Sequence, residues 1–409
     1  MKRDQVSLNY KESFKYLLLY RIGLILCYQM LIVAVGWHAY SLTGDVMSLG
    51  WIGLAEVLPF ITMSIYAGHA VDTISKRLIS ALACLSHITV SVLLALTTLD
   101  IFTSPLPIIF ISIGIAGIGR SFLRPSYQSL MGKIIPKSEV TKYVALSSVT
   151  NQVCIVSGPA LGGLCIGWFN LTACYAIAGT LATLSIISIL ICKFNDSPSS
   201  EKTYFVKSLF EGLRYLKSNS MLLAAMSLDM LAVLFGGASS MLPAFVTDIL
   251  SLGPEALGIL RASPAICGVM VSLFLTKNPP ISNTGKTLIF AVAGYGLSIV
   301  CFGISTNFWL CAFFLFISGG LDTISVVIRS SILQLSAPPH LMGRVSAING
   351  IFISSSNEFG AFESGLAASW LGLVPSIVFG GCMTLIVAAS IWKLAPQLRN
   401  VHLSDFTNH

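Results

Sequence analysis

Twelve apolar stretches of about 20 residues, each carrying few charges, run the length of the chain. A stretch of that length crosses a hydrocarbon core of about 30 Å as a helix. Backbone in lipid must satisfy its own hydrogen bonds, and a helix does so within one segment. Membrane strands would show alternating patterns of about 10 residues, and none is seen. The pattern predicts spans at about 14–38, 47–69, 78–99, 106–131, 143–166 and 168–193. A second set follows at about 221–249, 256–277, 286–305, 308–334, 346–370 and 374–395. The expected fold class is all-α and integral to the membrane, with twelve transmembrane helices.

The basic residues give the direction of these crossings. Lys and Arg cluster in every second gap: before the first span, at Lys76 and Arg77, at Lys133, Lys137 and Lys142, and from Lys193 to Lys217. They recur at Lys277 and Lys286, at Arg344, and at Lys393 and Arg399, while the intervening gaps hold none apart from Arg261 just inside the eighth span. Basic loops stay cytoplasmic, so both termini are expected inside. Trp37, Trp51, Trp168, Trp309 and Trp370 fall at predicted outer ends and Trp392 at an inner end, as an aromatic belt would. The net charge of +7 then reflects an inner face meeting anionic lipid rather than nucleic acid. The polar, basic leader lacks a small-residue cleavage site, so the first span is expected to be retained. All ten Cys lie within predicted helices without metal-ligand spacing, and they read as small buried hydrophobes.

Residues 194–220 form the one long polar segment. It opens on Asn195-Asp196-Ser197-Pro198, a linker signal. Phe205, Leu209, Leu213 and Leu216 then repeat at helical spacing opposite Lys207, Glu211, Arg214 and Lys217, the pattern of an amphipathic helix on the membrane surface. Three parts are therefore expected: a six-helix half at 1–193, a cytoplasmic linker at 194–220 and a second six-helix half at 221–409. Weak echoes between the halves, such as Asn151 and Asn349 early in corresponding spans, fit internal duplication.

A charge near the bilayer centre costs at least ~2.5–3.5 kcal/mol, so each needs a reason. Glu56, Arg120, Asp322 and Glu358 fall near mid-span, with Arg124 a turn nearer the cytoplasm and Asp229 and Glu363 in the second half. Two readings stand side by side: buried ion pairs, for example Asp322 or Glu358 with an Arg, or carboxylates that exchange protons during transport. Asp322, Glu358, Glu56 and Asp229 are the proton-coupling candidates, Asp229 leaning to a structural or gating role. Arg21 and Arg329 lie near enough to span ends to snorkel, Arg21 leaning to a structural role. Arg120, Gln29, Asn151, Ser325 and Asn357 are candidates for lining a substrate cavity. Lone His87 is expected to be a satisfied buried imidazole.

Gly68-His-Ala-Val-Asp72-Thr-Ile-Ser75-Lys76-Arg77 resembles the loop signature of the major facilitator superfamily, departing from it at Thr73 and Ser75. Cys154-Ile-Val-Ser-Gly158-Pro159-Ala-Leu-Gly162-Gly163 resembles that family's antiporter motif, with Cys154 in place of its first Gly. Leu234-Phe235-Gly236-Gly237, the Asp322–Arg329 run, Met342-Gly343-Arg344 and Asn357-Glu358 are similar to the branch of enterobactin exporters and drug-efflux proteins. The resemblance implies a major facilitator fold whose two halves rock about a central cavity, and a proton-driven exporter of small organic molecules. It also implies gating roles for Gly68, Asp72, Lys76, Arg77, Gly158, Pro159 and Arg344. No cofactor is expected, since the proton gradient supplies the energy, and the protein is expected to work as a monomer. An uptake symporter on the same scaffold is the first rival. A membrane-embedded enzyme is the second, but H-E-x-x-H and G-x-S-x-G are both absent from the sequence, so it lacks the groups such chemistry needs.

Overall fold

The computed structural model describes residues 2–99, 101–136, 138–194, 205–278, 283–338 and 341–402. It is 89% helix, without strands among the described residues. The chain divides into two compact units, Met1–Leu42 with Ala55–Phe205, and Thr43–Leu54 with Val206–His409.

In the first unit the long helices are α1 (Lys2–Thr43), α2 (Val46–Thr73, whose first turns group with the second unit), α3 (Lys76–Leu96), α4 (Leu106–Ile134), α5 (Val140–Trp168) and α6 (Leu171–Ile191). Polar side chains set where two of them begin. Ser75 accepts from the Leu78 N–H to start α3, and Asn170 accepts from the Ala173 N–H at 2.7 Å to start α6, each satisfying a donor the helix itself leaves open. Helix α3 packs against both α4 and α6.

The second unit holds α7 (Phe205–Ser218), α8 (Ser220–Phe235), the short α9 (Leu242–Ala244), α10 (Pro254–Lys277), α11 (Thr284–Ile304), α12 (Phe308–Ser336), α13 (Met342–Leu371), α14 (Leu373–Leu394) and α15 (Pro396–Arg399). Here α11 packs against both α12 and α14, the arrangement of α3 with α4 and α6. The span expected at 221–249 is not one uniform helix. Helix α8 stops at Phe235, a 3-10 turn covers Gly237–Met241, and a π-helical turn covers Phe245–Ile249 after α9. The break has a cause: the Gly236 carbonyl leaves the ladder, accepting the Ala238 N–H at 2.8 Å and the Tyr295 hydroxyl at 2.9 Å, and Pro243 brings no N–H.

Eleven helices among the described residues are long and apolar enough to cross a membrane. Helix α13 is not one of them; it has the length, at 30 residues, but Asn349, Asn357, Glu358 and Glu363 dilute its hydropathy. The surfaces of the spans are greasy. Leu82, Leu297 and Phe274 are 54%, 55% and 62% exposed, an arrangement water would penalise and lipid does not. Trp51, Trp168, Trp309 and Trp370 are exposed as well. Inside the helices, hydroxyls bond back to their own backbone: Ser91 to the His87 carbonyl at 2.8 Å and Thr384 to that of Gly380 at 3.0 Å. Such back-bonding satisfies these hydroxyls without water. Of the ten free Cys, seven are buried, while Cys267 and Cys301 are half-buried and Cys382 is exposed.

Candidate functional site

The charged residues inside the helices gather into three places. The first lies in the first unit, where α1, α2 and α4 meet. The Arg120 guanidinium donates to Glu56 Oε1 at 2.5 Å and to the Tyr28 hydroxyl at 2.6 Å. Tyr28 in turn donates to the same Glu56 oxygen at 2.7 Å, closing a triangle. Glu56 is 4% exposed. The guanidinium also lies over the Tyr28 and Phe60 rings, 5.1 and 5.0 Å from their centroids, a contact that attracts a cation to the ring face. Gly117 allows the triangle to form, because a side chain there would strike the Glu56 carbonyl. Glu56 and Arg120 thus neutralise one another. His87, on α3, reaches the Ala83 carbonyl through Nδ1 at 2.8 Å, whereas its Nε2 has no hydrogen-bond partner among the described residues. That imidazole is half satisfied, contrary to the sequence expectation.

A cavity of about 710 Å³ opens beside this triangle, between α1, α4 and α5. Arg21 does not stretch toward the end of its helix, although its position would allow it. It bonds Ser147 and donates to Asn151 Oδ1 at 3.1 Å, with its guanidinium 4.2 Å from the Tyr127 ring centroid. Partners across the bundle hold it in the wall, and snorkelling would forfeit them. Asn151 therefore lines this cavity, as do Arg124 and Gln128. Gln29 sits elsewhere on α1 and donates weakly to the Ile155 carbonyl at 3.4 Å. Its Cβ lies 2.5 Å from where a Gly158 side chain would begin. The Gly158-Pro159 pair accordingly serves as a close-packing seam between α5 and α1, with both residues buried.

The third place is in the second unit. Arg329 is 4% exposed and forms an ion pair with Asp229 of α8. Its position near a span end would have allowed Arg329 to snorkel, and the ion-pair reading offered Asp322 as one partner for an Arg; the structure pairs Arg329 with Asp229. A buried guanidinium left without a partner is strongly costly, and Asp229 supplies one. Asp322, two turns earlier on α12, has no hydrogen bond or ion pair among the described residues. It shares a chamber of about 10 Å³ with Asp229, Tyr295 and Ser325, close to the smallest that holds one water. The Ser325 hydroxyl, 2% exposed, also has no partner among the described residues.

The remaining expected residues are dispersed. Asn357 is exposed and donates to the Ile353 carbonyl at 2.8 Å. Glu358 is half-buried on α13, where its carbonyl lies 2.8 Å from the position of a Gly53 side chain. Lys76 is 1% exposed, and Arg77 donates to the Cys192 carbonyl at 2.7 Å while covering the Phe194 ring. Gly68 falls within α2, and the side chains of Asp72 and Arg344 lie outside what the structure describes. Sequence reasoning missed Tyr28, Tyr127, Ser147 and Tyr295. Only Tyr295 carried a signal, as a hydroxyl set between two glycines, Gly294 and Gly296.

Comparison with known proteins adds the family. A family model described as transmembrane secretion effector matches residues 12–408. Macrolide efflux protein A of Streptococcus pyogenes is 22% identical over 388 residues, covering 91% of this chain and 92% of its own length. The multidrug efflux pump Tap of Mycolicibacterium fortuitum is 22% identical, with 91% and 93% covered. Enterobactin exporter EntS of Shigella boydii serotype 18 is 22% identical, with 69% and 67% covered. Among solved structures, a D-xylose–proton symporter superposes with a TM-score of 0.73 at 13% identity, over 95% of this chain and 99% of its own. A POT family transporter in complex with 5-aminolevulinic acid gives 0.74 at 13% identity, over 94% and 96%. These likenesses carry the transporter fold.

Proposed function

Because the chain belongs to the transmembrane secretion effector family, within the efflux branch of the major facilitator superfamily, we propose that it is a secondary active exporter. It is a membrane transporter and not an enzyme. In this reading it moves small organic molecules, siderophore-like or drug-like, outward by alternating access driven by protons. Twelve helices in two halves cross a bacterial inner membrane, α13 supplying the twelfth, with both termini in the cytoplasm. It works as a monomer and needs no cofactor.

The observation that carries the coupling is the isolation of Asp322. A carboxylate inside a membrane protein is expensive unless paired or protonated. Glu56 and Asp229 have Arg partners, so their charge is stabilised in place and gains little from binding a proton. Asp322 has none among the described residues. Taking up a proton relieves its cost, and a chamber the size of one water lies beside it. Asp322 is the coupling group, Ser325 and Tyr295 are its polar neighbours, and Glu358 is the second candidate. Relatives named for macrolide efflux, multidrug efflux and enterobactin export support the outward direction. The Gly158-Pro159 seam, with Gly68, Asp72, Lys76, Arg77 and Arg344, provides the gating parts.

Metabolite profiling of a deletion strain tests the reading. One or more small molecules should rise inside the cell, and a proton uncoupler should reproduce the rise in the parent strain. Everted vesicles should then take up that molecule when their lumen is acidified, and Asp322→Asn vesicles should not. Uptake by right-side-out vesicles alone would replace export with import.

A further inference from the structure

The 710 Å³ cavity of the first unit has the dimensions of a small-molecule site, and its lining is one-sided in charge. Arg21 and Arg124 both stand in its wall, and no Asp or Glu lines it. The two guanidiniums differ. Arg21 is held before any ligand arrives, by Ser147, Asn151 and the face of Tyr127, so little ordering remains to be done on binding. Arg124 is exposed and has no hydrogen bond or ion pair among the described residues. Glu56 is neutralised by Arg120, and Glu139, which accepts the Tyr10 hydroxyl at 3.0 Å, is not among the residues lining the cavity. Leu24, Ile25, Leu123 and Val144 supply an apolar wall.

We infer that this cavity binds an organic anion with an apolar body, its carboxylate or other acidic group held by Arg21 and Arg124. The inference rests on the exporter reading and names the class of its cargo. A guanidinium presents a planar fork that matches an oxyanion with two parallel bonds, and such charge-assisted bonds are about twice as strong as neutral ones. A cation of the same shape would face two like charges between low-dielectric walls.

Two dyes on a common xanthene body separate the cases: carboxyfluorescein, an anion, and tetramethylrhodamine methyl ester, a cation. Their binding is measured by fluorescence anisotropy on the full-length protein in phosphatidylcholine nanodiscs, with empty discs subtracted. Carboxyfluorescein should bind at least about tenfold more tightly, and Arg124→Gln should weaken it by about tenfold. Arg124→Lys should recover most of that loss, whereas Arg21→Lys should not, because only the held fork at Arg21 depends on shape. Arg124 has no structural partner to lose, so its variants test the site even if Arg21 variants fold poorly. Equal affinity for the two dyes, preference for the cation, or indifference to Arg124→Gln overturns the inference. Those results leave export itself standing. Conversely, tight carboxyfluorescein binding without proton-driven accumulation in everted vesicles keeps the anion site and defeats the exporter reading.

Discussion

Helices α4 and α12 are both 29 residues long, and each carries a charge fourteen residues from its start: Arg120 in one, Asp322 in the other. Their neighbours α3 and α11, both 21 residues, carry His87 and Tyr295 at matching positions. Two units built on one plan thus place opposite charges at one depth of one helix. In the first unit the charge is fully engaged, by Glu56 and Tyr28. In the second, the available Arg lies two turns further along α12 and is taken by Asp229, leaving Asp322 with its cost. A paired charge is a structural element; an unpaired one is available for work. In the proposed mechanism, the difference gives stability to the first unit's cluster and proton exchange to the second unit's Asp322.

Removing Arg329 should have the largest effect on that contrast. Arg329→Gln strands the buried Asp229 charge and should lower stability by about 3–5 kcal/mol, read as a loss of thermal unfolding midpoint in nanodiscs. Adding Asp229→Asn should recover most of it. Failure of the double variant to recover would mean the pair is not the local source of stability. Arg120→Gln should cost less, about 2–3 kcal/mol, since Glu56 keeps the Tyr28 hydroxyl and is closer to water through its partner, which is 21% exposed. Tyr28→Phe removes only the hydroxyl apex of the triangle and should cost about 1 kcal/mol. Asp322→Asn should leave stability within about 0.5 kcal/mol of the parent or raise it, because an isolated charge contributes nothing to holding helices together. A loss as large as that of Arg329→Gln would erase the distinction between the units.

Much of this architecture was legible in the residues. Length and polarity of the apolar stretches specify helices almost unaided, since lipid leaves the backbone no alternative. The mid-span charges announced themselves by their cost. Pairing was not legible. Asp322 and Arg329 share a face by spacing, yet the ion pair forms across to α8, because helix packing and not sequence distance decides which groups meet. The partners of Arg21 were hidden for the same reason: its position near a helix end allows a reach to water, while Ser147 and Asn151 on α5 offer nearer partners. The break after Phe235 was foreshadowed by Gly236-Gly237, but the Tyr295 hydroxyl that fixes it comes from 59 residues away. Helix α13 shows the reverse limit, a crossing expected from position whose polar side chains lower its hydropathy below that of the other spans.

Infrared difference spectroscopy through a pH titration of the reconstituted protein tests the central claim without knowledge of the cargo, since a carboxyl group that binds a proton gains a C=O stretch distinct from that of a carboxylate. The parent protein should show this band, Glu56→Gln should retain it and Asp322→Asn should lose it. A band that survives Asp322→Asn and vanishes in Glu56→Gln would contradict the account, placing the exchangeable proton in the unit where the charge is already paired.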